Sequence, residues 1–369
     1  MPRAVLRVGS AALVAAIAIA SGALGGCVSS RTAPIDLYRA DTKVIRFALK
    51  NPRSTVCPGQ PVPLDVELDA LVDGELLHLK QRRFDLDDYM FHTRQLHLSS
   101  AQGFFSEDGV FYPNPDVTVS AQTGFVIFIR APHGPSFSVR FPPAYECTAQ
   151  IGRAGRYGAP GIDGYDATVA DKDPHTHRDA AATGGIGQDG GEGGAGPRLE
   201  VFVTWVRTPD YTKLLAARSF GDVQTITLAP PGTPLTVLAR GGQGGMGGRG
   251  GQGGTGLGDG GGWGGRGGAG GTGGPGGDVD VYIDDRFDDL ERMVTADVDG
   301  GPGGPGGMPG KGGEADRWSG SGVKTSGEAT RGAPGPSGAD GKRGPAGAAR
   351  FARADVRERF ENLGALVPY

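Results

Sequence analysis

The residues best equipped for chemistry are few and far apart. Asp171-Lys-Asp173-Pro-His175-Thr-His177 gathers two carboxylates and a His-x-His pair, a set that offers oxygen and nitrogen ligands to zinc if the loop folds back. Nothing around it supplies a second shell, so a solvated loop is the preferred reading and no metal is expected. Asp284, Asp285, Asp288, Asp289 and Glu291 cluster about Phe287 and Leu290. Helical spacing puts those two apolar residues on one face, which reads as a short crossover helix with a solvated acidic side and not as a calcium site. His78, His92, His97 and His133 have no serine or carboxylate constellation beside them, so no hydrolytic triad is assembled and no enzyme is expected.

Glycine-rich motifs that bind phosphate or calcium also fail on detail. In Gly306–Gly313, Lys311 is followed by Gly312 where a phosphate loop needs Ser or Thr, and no strand-to-helix context surrounds it. Asp163, Asp189 and Asp259 keep no nine-residue period, so calcium-binding nonapeptides are excluded. Arg249 and Arg266 sit in GGRGG, yet a triplet phase accounts for both without nucleic acid. No cofactor is implied.

The elements that hold these residues are dominated by glycine, 69 of 369 residues, against an ordinary level of about 7 per cent. From Ile151 onward the glycines recur every third residue. Six runs stand out: Gly152 to Gly164, Gly184 to Gly196, Gly241 to Gly256, Gly261 to Asp278, Gly300 to Gly313 and Gly332 to Gly347. The runs from Gly241, Gly261 and Gly300 are mainly Gly-Gly-X, and those from Gly152 and Gly332 are Gly-X-Y. A three-residue period is that of polyproline II, with a rise of about 3.1 Å per residue. Gly-Gly-X leaves two bare faces and Gly-X-Y one, so the first type belongs in the interior of a bundle and the second on its flanks. Alternating residues between runs predict strands within about 199–239 and 279–298. Trp263, at the mouth of a Gly-Gly-X run, either packs on a sheet, the preferred reading, or forms a binding surface.

These runs resemble the glycine-rich polyproline II bundles of springtail antifreeze proteins and of some phage tail-fibre adhesin tips. The resemblance covers residues 151–347 and implies a rigid platform that displays loops or a flat face. A regular array of short side chains suited to ice is not evident. A disordered tail and a collagen-like trimer, the latter confined to Gly332–Gly347, are the competing readings.

Residues 43–150 have ordinary glycine content and read as short strands over Val44–Leu49, Val62–Leu68, Leu76–Leu79, Val117–Ala121, Phe125–Ile129 and Phe137–Phe141. Asp73-Gly74 supplies a hairpin turn. An immunoglobulin-like β-sandwich is expected. Residues 1–26 carry Arg3 and Arg7, an apolar run from Ala11 to Ala20, then small residues, the plan of a secretory signal. Leu24-Gly-Gly-Cys27 resembles the lipobox of bacterial lipoproteins, which implies lipid on Cys27, a tether over 27–42 and transfer to the outer membrane. In that oxidising compartment Cys57 and Cys147 are expected to pair, the alternative being two buried thiols. Residues 348–369 read as a closing helix or strand. The sum is a mostly β, membrane-anchored, non-enzymatic display module, monomeric in preference to trimeric. Its expected partners are the membrane and cell-surface glycans or proteins, with no nucleic acid.

Overall fold

The computed structural model describes residues 34–50, 54–81, 90–167, 181–257, 260–316 and 330–369. It is mostly β. The N-terminal unit contains β1 (Thr42–Lys50), β2 (Val62–Pro63), β3 (Asp65–Val72), β4 (Glu75–Gln81), β5 (Met90–Phe91), β6 (His97–Ser99), β7 (Gly103–Phe105), β8 (Val110–Pro113), α1 (Val117–Thr123), β9 (Phe125–Arg130) and β10 (Ser136–Phe141). They form three small sheets, ordered β1-β3-β4-β5, β10-β9-β6 and β2-β8-β7. One core unites them, with Leu68, Leu79, Phe91, Phe111, Phe125 and Ile127 among its buried members. Asp73 and Gly74 both take positive φ, 51° and 85°, as a tight β3–β4 hairpin requires. Cys57 and Cys147 are joined by a disulfide with Cα atoms 6.4 Å apart.

One expected strand is a helix. Val117–Ala121 alternates apolar and polar residues, but the ends decide the matter: Asp116 accepts a hydrogen bond from the Thr118 amide at 2.9 Å as N-cap, and Gly124 closes the helix at φ 68°. Val117, Ser120 and Ala121 then share the buried face of α1.

The glycine-rich unit is built from β11 (Gln150–Gly152), β12 (Leu199–Arg207), β13 (Leu214–Gly221), β14 (Thr225–Ala229), β15 (Leu235–Leu238), β16 (Gly256–Leu257), β17 (Val279–Asp284), β18 (Val294–Asp297), β19 (Ala315–Asp316), β20 (Ala349–Ala354) and β21 (Val367–Pro368). Between them run six extended rods: rod 1 (152–167), rod 2 (184–197), rod 3 (240–255), rod 4 (261–278), rod 5 (299–314) and rod 6 (331–348). Each is antiparallel to its predecessor. Gly191 of rod 2 donates to the Ala159 carbonyl of rod 1, and Gly245 of rod 3 to the Gly191 carbonyl. Each is parallel to the rod two places on, as Gly244 of rod 3 donates to the Pro302 carbonyl of rod 5. Rods 1, 3 and 5 thus make one layer, and rods 2, 4 and 6 make the other.

The layers are continuous with sheets. Parallel strands β11, β15 and β18 lead directly into rods 1, 3 and 5, while rods 2, 4 and 6 lead directly into parallel strands β12, β17 and β20. Where the layers become sheets they enclose a core of Ile151, Val201, Val203, Leu235, Val237 and Val281 among others. Glycine rods gain little from apolar burial, so this sandwich end is where the hydrophobic effect anchors them. β13 and β14 extend the second sheet. Its opposite face packs on Val117, Ala121 and Tyr145 of the N-terminal unit and on Val356 and Phe360. Residues 348–369 close the chain as strand β20, a 3-10 turn at Arg357–Phe360 and strand β21, which pairs with β12.

Glycine follows a positional rule within the rods. In Gly-Gly-X, the first glycine amide donates to the rod two places on and the second to the preceding rod. A Cβ on the first glycine would point at the next rod, as Gly247 would meet the Gly268 carbonyl oxygen at 2.1 Å. A Cβ on the second would point at the rod two places back, as Gly268 would meet the Gln188 carbonyl oxygen at 1.9 Å. The third side chain faces outward. Rod 1 has no rod two places back, and its second positions carry Arg156, Ala159, Ile162 and Tyr165. Rod 6 has no successor, and its first positions carry Pro334, Ser337, Asp340, Arg343 and Ala346. Apart from Gly152 at the start of rod 1, no glycine of a rod has positive φ, so what these positions require is the missing side chain.

Candidate functional site

The rods leave their outward side chains on two faces. On the face of rods 2, 4 and 6 stand Ile186, Asp189, Trp263, Arg266, Ala333 and Pro336. By register Ile186 lies between the levels of Trp263 and Arg266, since Gly184 and Gly187 donate to those two carbonyls, and Ala333 lies beside Gly264. Ile186 is 70% exposed and Trp263 68%. They form an apolar patch at the end of the bundle remote from the sandwich. Packing of Trp263 on a sheet, the preferred expectation, is therefore wrong: rod 4 begins at that remote end, and its third positions face solvent. The opposite face carries exposed Tyr157, Met246 and Met308.

Carboxylates on the flanking rods hold backbone. Asp163 accepts from the Arg249 amide and Asp166 from the Gln252 amide, both at 2.7 Å, and Asp340 accepts from the Gly306 amide at 2.8 Å. Asp189 does the same for Ala269. These caps satisfy amides that have no rod to bond to. Their triplet position, outward or on an unpartnered edge, was the signal available in the sequence.

The acidic cluster is solvated at Asp285, Asp288, Asp289 and Glu291 beside a short 3-10 turn, as expected, but Asp284 is not. Asp284 ends β17 fully buried, accepting from the Thr204 hydroxyl at 2.5 Å and pairing with Arg286 at 2.6 Å. Burial pushes its pKa up, but the Arg286 and Thr204 hydrogen bonds outweigh burial and hold it below the ordinary carboxylate value. Asp289 accepts from the Trp205 indole at 3.1 Å and from Lys213 at 3.3 Å, with Lys213 also lying 4.0 Å over the Trp205 ring. The Trp205 bond, against a smaller opposing effect of burial, lowers its pKa. Leu290 is buried and begins a 3-10 turn. The sequence hid this because the partners, Thr204 and Trp205, lie on a different strand.

Among the histidines, His78 bonds Asp69 at 2.8 Å and lies 3.4 Å from Glu67, a surface arrangement across β3 and β4. Asp171, Asp173, His175, His177 and Cys27 lie outside the described residues. Among the described residues no group of three His, Cys, Asp or Glu is placed to hold a metal ion, and no helix is long and apolar enough to cross a membrane. No family model, curated protein or solved structure matches the chain.

Proposed function

We propose that this chain is a lipid-anchored, non-enzymatic surface module of a bacterial outer membrane, whose glycine-rich half is a bundle of polyproline II helices used for adhesive display. The observation that carries this reading is the division of labour in the rods. Two positions of each interior triplet are consumed by backbone packing, and every third side chain is free to face a partner. Trp263 and Ile186 stand exposed on that platform, where an aromatic ring can stack on the apolar face of a sugar or on a protein surface. The three-residue hydrogen-bond period and the negative φ of every rod glycine after Gly152 support the polyproline II assignment. Antiparallel hairpins about one core, bridged by Cys57–Cys147, support an immunoglobulin-like sandwich as the spacer near the anchor.

The lipid on Cys27 rests on the lipobox resemblance. One acyl chain holds a membrane only marginally, so stable tethering requires multiple acylation. The collagen-like alternative is disfavoured because the glycine amides of rod 6 already donate to rod 5 within the chain, as Gly338 does to Gly307 at 2.9 Å. The test is binding of purified protein to cells and immobilised glycans, comparing the native chain with Trp263→Ala and with chains shortened in 168–180 or 317–329. Weaker binding by Trp263→Ala locates display on the flat face, and weaker binding by a shortened chain locates it in the loops. Equal binding by all of them rules out both the flat face and the loops as the site, and absence of binding by the native chain contradicts adhesive display.

A further inference from the structure

The two edges of the bundle are finished differently. At the rod 5 and rod 6 edge, side chains cover part of the exposed backbone: Asp340 accepts from the Gly306 amide, Arg331 donates to the Gly312 carbonyl at 3.3 Å, and Arg343 donates to the Gly300 carbonyl at 3.1 Å while pairing with Asp299. Pro309 and Pro334 there have no amide hydrogen to leave open. At the rod 1 and rod 2 edge no side chain among the described residues does this. In every later rod the second-position amide donates to the preceding rod, but those of Arg156, Ala159, Ile162 and Tyr165 have no acceptor among the described residues. The carbonyls of Ile186, Asp189, Glu192 and Ala195 on rod 2 are equally without donors among the described residues, although their counterparts on rods 3 to 6 accept from the rod two places back. Donors and acceptors line one open slot at a three-residue period.

The geometry points to this slot as the docking site for a single extended Gly-X-Y chain from a partner, lying antiparallel to rod 1 and parallel to rod 2 as the rod that would precede them. This inference rests on the rod-bundle reading above. The positional rule specifies the occupant. Its first positions would face rod 1 and must be glycine; its second and third positions would face away and are free. Rod 2 is already shaped for it. Gly191 and Gly194 are bare, and an added Cβ there would lie 3.1 and 2.9 Å from the Ala159 and Arg156 backbone nitrogens of rod 1, crowded but less so than at Gly268, where it would meet a carbonyl oxygen at 1.9 Å. Their Cβ direction is the slot. Gln188 interrupts this bare line, as Pro309 does at a first position of rod 5 next to rod 6, so one side chain per rod is tolerated within the fold. Ile162 and Tyr165, 67% and 75% exposed, stand along the slot as an apolar flank. A second copy does not fit. Stacking its rod 6 here would drive Asp340 and Arg343 into rod 1, and Ile162 and Tyr165 into its rod 5, at positions where the rule requires glycine.

The experiment measures binding of a short labelled Gly-Ala-Ser repeat peptide, too poor in imino acids to trimerise, to the full-length protein by fluorescence anisotropy. Two variants accompany it. Ala159→Pro with Ile162→Pro removes two slot donors that make no bond in the fold, and Gly191→Val fills the slot from rod 2. Saturable binding that weakens about tenfold or more in the proline variant, with its melting unchanged, supports the slot. If the proline variant melts early, Gly191→Val gives the same decision. Absence of saturation up to about millimolar peptide, with a native melt, overturns the proposal, as does binding that neither variant weakens. Self-association of the protein that the variants abolish overturns the choice of occupant. A native chain without a cooperative melt would instead sink the bundle reading beneath it.

Discussion

Asp284 is the residue on which charge and fold meet most tightly. It is fully buried, and removing its charge leaves Arg286 and the Thr204 hydroxyl short of an acceptor. Asp284→Asn is expected to cost about 2 kcal/mol at neutral pH by urea denaturation, the scale of a lost hydrogen bond to a charged group. The pH dependence follows from the depressed pKa. Stability from Asp284 is fully present above the unfolded value of about 3.9 and disappears as pH falls through the folded one, so the native chain should lose its advantage over Asp284→Asn below about pH 4. An advantage that persisted at lower pH would mean that the ion pair is not the source. Glycines offer a sharper contrast. Gly268→Ala drives a Cβ to within 1.9 Å of the Gln188 backbone and is expected to destabilise by more than about 3 kcal/mol, whereas Ala159→Gly, on the open second position of rod 1, should lie within about 0.5 kcal/mol of native. Equal melting temperatures for the two would contradict the positional rule. Trp263→Ala, on an exposed ring, should leave the melt unchanged whatever it does to binding.

At the scale of elements, the period of three was legible because a bundle writes its contacts into composition. Gly-Gly-X marked the interior rods 3 and 4 and Gly-X-Y the flanking rods 1 and 6, but the run from Gly300, expected in the interior, is rod 5 at an edge, where packing on rods 3 and 6 still requires glycine at both positions. The strands β12, β14, β15, β17 and β18 could be read from alternating apolar residues, yet β13 could not: Leu214–Gly221 is buried on both faces and carries two alanines and an arginine, so it lacks an alternating pattern. Helix α1 was missed for the opposite reason, since β-branched residues in alternation suggested a strand while Asp116 and Gly124 set the ends of a helix. The carboxylate caps and the buried Asp284 depended on partners far along the chain, which no local pattern carries. Because rods 2, 4 and 6 run into β12, β17 and β20, the anchoring core should control the rods. Val281→Ala, at the centre of that core, is expected to lower stability by about 2 kcal/mol, with rod amides and strand amides losing protection together. Loss of protection in the strands alone would separate the two halves energetically.

For the whole molecule, the disulfide and the α1 contact bind the N-terminal unit to the sheet that continues the second layer. Cys57 and Cys147 close a loop spanning 90 positions, and Arg140 pairs with Asp210 at 2.6 Å across the same junction. Reduction is expected to cost about 4 kcal/mol in the chain-entropy description and to loosen the N-terminal unit before the rods, which limited proteolysis under reducing conditions would reveal. The proposed bundle itself makes the most distinctive demand, because its amides are used two in three. Hydrogen exchange followed by NMR on the monomeric protein tests it directly. In rods 3 and 4 the first and second glycines of each triplet should be protected, while the amides of Gln243, Met246, Arg266 and Thr272, which have no acceptor among the described residues, exchange quickly. Protection of one amide in three in a trimer, or of none at all, would contradict the account.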